Sequence, residues 1–171
     1  MVAAWPEPVE RVSTFLRESG AEARIHEFPD GTPTAADAAA AVGCELEQIV
    51  KSLVFQCDGR PVVALVPGDR RADPRKVARA VERESARVAS AEEVEAATGF
   101  APGAVAPFPL PRVDAVLMDP LLARHRIVWA GAGSSTHILG IAPAELARLA
   151  KARPVDVVKD ETYDSARPKE R

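Results

Sequence analysis

Lys51 stands in the run Ile49-Val50-Lys51-Ser52-Leu53-Val54-Phe55, an ammonium inside an otherwise apolar stretch of β-branched, aliphatic and aromatic residues. Side chains alternate across a strand, so Lys51 shares a face with Ile49, Leu53 and Phe55. If that face looks inward, a charged amine sits at the edge of an apolar pocket, and such an amine has an anion to hold. The competing reading is a lysine that lays its stem along the sheet and carries its head to water. Two loops could complete a site. The stretch from Thr98 to Phe108 is dense in glycine and proline (Gly99, Pro102, Gly103, Pro107), which suits either a rigid pocket wall or a long surface connection. In the stretch from Trp129 to His137, amides exposed by Gly131 and Gly133 could meet a phosphate or carbonyl oxygen. The third glycine of a dinucleotide-binding loop is missing and no βαβ unit surrounds it, so composition favours a tight strand-to-strand turn. His137 reads equally as a turn residue capping a carbonyl or as a pocket wall.

The elements that must position these residues alternate between helix and strand. Val9, Val12, Phe15 and Leu16 recur at helical spacing before Gly20, giving a helix over 8–19, and Ala23 to Phe28 follows as a short strand. Thr34 with Asp37 has the form of a capping box, opening an alanine-rich helix that Gly43 ends. The strand from Ile49 to Cys57 turns at Asp58-Gly59 into an antiparallel partner from Pro61 to Val66. Asp73-Pro74 starts a helix with proline at its first position, and Ser90 with Glu93 caps another that stops at Gly99. Strands are expected at Ala115–Met118, Ile127–Ala130 and Ile138–Ile141. Pro143 then opens a last helix, and a strand is expected at Val155–Val158. Residues 160–171 are polar and charged, and are expected to form a frayed tail. One mixed α/β domain over residues 1–159 follows.

Composition narrows the function classes. A chain of 171 residues, 47% hydrophobic and 27% charged, is one ordinary globular domain. The formal net charge of -3 argues against indiscriminate coating of nucleic acid but leaves room for a local basic patch. No run of about 18 apolar residues exists to span a membrane, and Met1 to Glu10 lacks the layout of a signal peptide. The cytoplasm is the expected compartment. Cys44 and Cys57 form neither a metal-type pair nor a disulfide framework, and His26, His125 and His137 are scattered, so no metal and no cofactor is expected.

Taken in order, these pieces resemble the YbaK/prolyl-tRNA-synthetase-associated editing domain. They are the Thr34-Ala35-Ala36 helix start, Lys51 in its strand, Thr98-Gly99…Gly103…Pro107-Phe108, Asp119…Leu122, Gly131-Ala132-Gly133 and Pro143-Ala144-Glu145-Leu146. The resemblance runs from about residue 8 to residue 158. It implies a mixed β-sheet or distorted barrel flanked by helices. It also implies hydrolysis of the ester that joins a wrong amino acid to a tRNA, commonly proline tRNA. Lys51, with Ser52 beside it, would grip the phosphate or ribose of the terminal adenosine. Amides around Gly131 and Gly133 would hold the aminoacyl carbonyl. The loop through Gly103, Pro107 and Phe108 would enclose the amino-acid side chain, with His137 as a wall. Phe28 matches a family aromatic position, and equally reads as a core phenylalanine.

Cysteine-specific members of the family carry an aspartate near the position of Ile138. The Gly131…His137 arrangement is closer to members that edit alanine, which weighs against cysteine and leaves small aliphatic residues, serine and threonine. Ala104 stands where many relatives have a second glycine. The implied partners are the acceptor end of aminoacyl-tRNA and an aminoacyl-tRNA synthetase, with no membrane. Arg71, Arg75 and Arg79, with Arg83 and Lys76, could hold the acceptor stem. A solvated helix face reads as well there, and Glu82 and Glu84 weaken the patch. A non-catalytic module binding an aminoacyl-adenosine-like ligand or a partner protein is the other function class open to the same fold.

Overall fold

Two left-handed residues, Asp58 (φ 51°) and Gly59 (φ 83°), close the hairpin at the middle of the sheet. They join β2 (Ile49–Cys57) to β3 (Arg60–Pro67) through the two-residue turn such a pair favours. The register runs from Val50 opposite Pro67 to Cys57 opposite Arg60. The computed structural model describes residues 5–160, so the expected charged tail lies, apart from Asp160, outside the described residues. Around the hairpin are β1 (Arg24–Glu27), β4 (Arg87–Val88), β5 (Ala115–Met118), β6 (Val128–Ser134), β7 (His137–Ile141) and β8 (Arg153–Pro154). The sheet order is β1-β7-β6-β2-β3-β5-β8, with β4 paired to β2. The β2–β6, β3–β5 and β5–β8 pairs are parallel and the others antiparallel, so this is a mixed α/β fold with a mixed sheet.

Both sheet faces are covered, which is why β3 is apolar at every position after Arg60 rather than alternating. From Val62 to Val66 no residue is more than 1% exposed. On one face, Val12 and Leu16 of α1 (Glu7–Glu18) and Leu146 and Leu149 of α5 (Pro143–Ala150) pack with Val54, Leu65 and Val128. Phe100, Val105 and Phe108 are buried there too, so the glycine- and proline-rich loop is drawn into the core. On the other face, Val77 of α3 (Pro74–Ala80) packs with Phe55, Val62 and Val66. Beside it, Ala38 and Ala39 of α2 (Ala35–Val42) pack on Ile49 and Ile138.

The local signals act as their chemistry requires. Thr34 Oγ1 accepts the Asp37 N–H at 3.0 Å, and Gly43 ends α2 in the left-handed region. Ser90 and Glu93 cap each other's backbone at the start of α4 (Ala91–Thr98), which Gly99 ends.

Three expectations change. First, α3 stops at Ala80. The chain then turns left-handed at Glu82 (φ 55°) and carries Glu84 and Ser85 back to the Asp58 carboxylate, so Arg83 falls beyond the helix. Second, Val155–Val158 is not a strand of the sheet; β8 ends before it. The Val157 N–H donates to the Asp119 carboxylate and its C=O accepts from Asp73, which leaves only a bridge between Ala72 and Val158. Third, Gly131 to Ser134 is strand rather than turn, and the turn is confined to Ser135 and Thr136.

Candidate active site

One edge of β2 has two short partners, and a cleft lies between them. β6 pairs with β2 only at Ile49/Trp129 and Val50/Ala130, and β4 only at Phe55/Val88 and Gln56/Arg87. The Ile49 C=O accepts the Gly68 N–H at 2.8 Å, so Ile49, Lys51 and Leu53 direct their backbone groups to β3. By alternation Val50, Ser52 and Val54 face the other edge, and the Val54 C=O accepts the Ala89 N–H at 3.0 Å there. Ser52 therefore turns its backbone N–H and C=O toward the gap. β6 draws away because its register against β7 slips between Gly131 and Ser134. A cavity of about 300 Å³ fills the space, lined by Lys51, Ser52, Gly103, Val105, Gly131, Ser134 and His137. The start of α2 at Thr34, Ala35 and Ala38 forms the opposite wall.

Lys51 is half-buried, and its Nζ donates to the C=O of Arg70. Burial pushes the ammonium below its usual pKa, with Asp69 opposing that shift and Arg71 adding to it. An ammonium has three donors, so two remain for a ligand. Ser52 turns its side chain to the opposite side of β2 from Lys51, and its Oγ is buried without a hydrogen-bond partner.

His137 is only 2% exposed. Its Nδ1 lies 2.6 Å from Ser134 Oγ and 3.0 Å from Thr136 Oγ1. Its Nε2 has no hydrogen-bond partner and lies 3.8 Å from the Glu27 carboxylate. The Trp5 ring meets the imidazole edge-on, 5.2 Å between centroids.

The remaining candidates divide. Gly103 and Gly131 line the cleft, and Gly133 does not: a Cβ there would lie 2.9 Å from the Pro8 backbone. Pro107 and Phe108 are buried behind the cleft, with Phe108 stacked on Phe15 at 5.1 Å. Phe28 packs under α2, and its N–H donates to Thr136 C=O. Burial pushes the thiols of both Cys44 and Cys57 up in pKa, so neither is poised as a thiolate. Among the described residues no group of His, Cys, Asp and Glu is placed to hold a metal ion.

A family model for the aminoacyl-tRNA editing domain matches residues 30–149. The chain belongs to that family. It is 32% identical over 154 residues to an uncharacterized protein of Bacillus subtilis (strain 168), YwhH, covering 89% of this chain and 98% of the relative. A proline–tRNA ligase of Nitratidesulfovibrio vulgaris (strain DP4) is 37% identical over 100 residues, which are 58% of this chain but 17% of the ligase. A solved structure described as a candidate trans-editing enzyme for prolyl tRNA synthetase aligns with a TM-score of 0.85 at 35% identity, over 92% of this chain and 100% of the other.

In this editing domain Arg75 and Arg79 lie on α3, Arg71 lies before it and Arg83 beyond it. Arg71 is exposed and close enough to Lys51 to bear on its charge. Arg75 and Arg79 line a separate outer groove with Glu82, Arg83 and Glu84, which shares no residue with the cleft. Lys76 is committed to Asp156, Asp160 and the Val158 C=O. Sequence reasoning missed Ser134, Trp129 and the Thr32–Thr34 segment as cleft residues, and Glu27 as the neighbour of His137. The three-residue spacing of Ser134 and His137 across a hairpin turn was the available signal. Among the described residues no helix is long and apolar enough to cross a membrane.

Proposed function

We propose that this editing domain is a trans-acting deacylase that hydrolyses the ester of a mischarged tRNA, most simply a proline tRNA carrying alanine or serine. An aminoacyl ester is already activated relative to an amide, so holding it beside a nucleophile and stabilising the developing oxyanion can supply the rate. Lys51 uses its two remaining donors on the phosphate or ribose of the terminal adenosine. The Ser52 N–H and hydroxyl, with the backbone at Gly131, meet the aminoacyl carbonyl. Water attacks the aminoacyl carbonyl, the neighbouring 2′-hydroxyl of the terminal adenosine can relay its proton, and the ribose oxygen leaves protonated as the amino acid departs as its carboxylate. The wall of Gly103, Val105 and His137 limits the side chain.

The observation that carries this reading is a cleft lined both by Ser52, whose hydroxyl has no partner, and by the half-buried Lys51 ammonium. At about 300 Å³ the cavity is at the lower end of small-molecule sites, which supports a small amino acid. The test is incubation of the protein with proline tRNA charged separately with alanine, serine, cysteine and proline, following ester loss. Faster loss of one of the first two supports the reading. Tight binding of all four with no turnover replaces it with a binding module.

A further inference from the structure

The cleft does not end at Trp129. Three residues spaced two apart, one just before β6 and two on it, step from the outer surface into the site. Ile127, 40% exposed, lines two shallow outer grooves; Trp129 lines one of them and also the cleft; Gly131 lines the cleft. At about 3.3 Å per residue the track is roughly 13 Å long. The sheet register fixes what stands beside it. Arg24 pairs with Gly140 and Gly140 with Trp129, so these side chains share one row on one face. The missing side chain of Gly140 leaves room for the indole: a Cβ there would lie 2.6 Å from the ring. His26 meets the same ring, 5.5 Å between centroids. Arg124 and Arg126, both exposed, rise from the segment before β6 beside Ile127.

Among the described residues none of Arg24, Arg124 and Arg126 has a carboxylate within ion-pair distance. In the two grooves they face one lining carboxylate, Glu22, while Glu47 lies 3.6 Å from His125. Arg24 shares one groove with the indole and the His26 imidazole, Arg124 and Arg126 line the adjoining groove across Ile127, and Arg124 also borders a third groove with Asp119, Asp156 and Asp160. In a chain of net charge -3 the first two make a local site for phosphates and bases. Arginines that follow a backbone, next to aromatic rings that take a base, are how proteins hold single-stranded nucleic acid.

We infer that this track binds the single-stranded 3′ end of the tRNA, with a base stacked at Trp129 and the preceding phosphates on Arg124, Arg126 and Arg24. The inference rests on the deacylase reading for the identity of its ligand, and it brings the strand in along grooves that share no residue with that of Arg75 and Arg79.

The chain has two tryptophans, so Trp5→Phe leaves Trp129 as the only indole reporter. Titrating that protein with a CCA trinucleotide should quench its fluorescence. Binding should weaken with salt at a log–log slope of about -0.7 per phosphate contacted. Adding Arg124→Ala and Arg126→Ala, with folding checked by circular dichroism, should lower affinity about tenfold or more and flatten the slope by about 1.4. In the wild-type background the same pair should lower the ratio of turnover on alanyl-tRNA to turnover on alanyl-adenosine by a similar factor. Absence of quenching, or quenching with affinity and slope untouched by the arginine changes, overturns the inference; the latter would put the oligonucleotide in the cleft alone. If wild-type protein hydrolyses neither ester, the deacylase reading fails, and the titration still decides whether the track binds RNA.

Discussion

Gly131 and Gly133 are two residues apart, yet replacing each with alanine should separate folding from chemistry. Gly133 has φ +104°, and its added Cβ would lie 2.9 Å from the carbonyl carbon and oxygen of Pro8 and 3.1 Å from the Val9 nitrogen. Those are backbone atoms that cannot swing aside as a side-chain tip would. An L-residue held in that region costs about 1–3 kcal/mol, and overpacking a tight contact costs about 1–3 kcal/mol more. The sum, about 2–6 kcal/mol, is a large part of a typical domain's stability of about 5–15 kcal/mol. At this chain length it should lower Tm by on the order of 10 °C. Gly131 has an ordinary backbone, and its Cβ would meet only the Val105 oxygen at 3.3 Å. A shift of a few tenths of an ångström absorbs that, at a cost below about 1 kcal/mol. The methyl would nevertheless stand in the cleft where the aminoacyl carbonyl is placed. Displacing a reacting group slightly costs up to about a hundredfold in rate, so Gly131→Ala should melt near wild type and deacylate at least about tenfold more slowly. Thermal melts by circular dichroism and single-turnover deacylation on the same preparations provide both readouts. A Gly133→Ala protein melting with wild type refutes the packing argument, and a fully active Gly131→Ala protein refutes the placement of the carbonyl.

Lys51→Ala should fold and lose about 1.5–3 kcal/mol of transition-state binding, on the order of ten- to a hundredfold in rate; wild-type rates in the folded variant would remove Lys51 from the site. Because burial holds the Lys51 pKa below its usual value and the charged form is the one that binds, affinity for a non-hydrolysable aminoacyl-adenosine analogue should fall as pH rises, with a midpoint below lysine's usual value of about 10.4. His137→Ala should enlarge the side-chain wall and change the ratio of alanyl- to seryl- and cysteinyl-tRNA hydrolysis by roughly tenfold, whereas unchanged ratios would make His137 a packing residue only. Glu93 is held at a pKa of about 2 by its hydrogen bonds to Arg87 and the Ser90 N–H. Its contribution to stability is therefore present above its unfolded pKa and lost as pH falls from about 4.3 toward 2. Denaturation of Glu93→Gln should accordingly differ from wild type near neutral pH and converge with it in acid.

The parts of the fold legible in the sequence are those whose cause is local. Asp58-Gly59 specifies its turn by the φ angles it tolerates, and Thr34, Ser90 and Gly43 act within one helical turn of themselves. Elements decided by distant partners were not legible. Val157 and Val158 have strand-like side chains, but Asp119 and Asp73 take the Val157 backbone groups across the fold. Gly131 and Gly133 look alike in sequence; only the return of α1 over β6 gives Gly133 a packing role. At the site, Lys51 stood out because a charge in an apolar strand needs an explanation. Glu27 reaches His137 only through the β1–β7 pairing, which no spacing along the chain reveals. Arg75 and Arg79 stand on α3, but Arg83 does not join them because the chain reverses at Glu82.

The most direct test is a single-turnover comparison of alanyl- and prolyl-tRNA, both on proline tRNA, with protein in excess and no synthetase present. The account predicts rapid first-order release of alanine and retention of proline, with the alanine rate slowed by Lys51→Ala. Equal rates on the two esters, or alanine release no faster than in buffer, would contradict it.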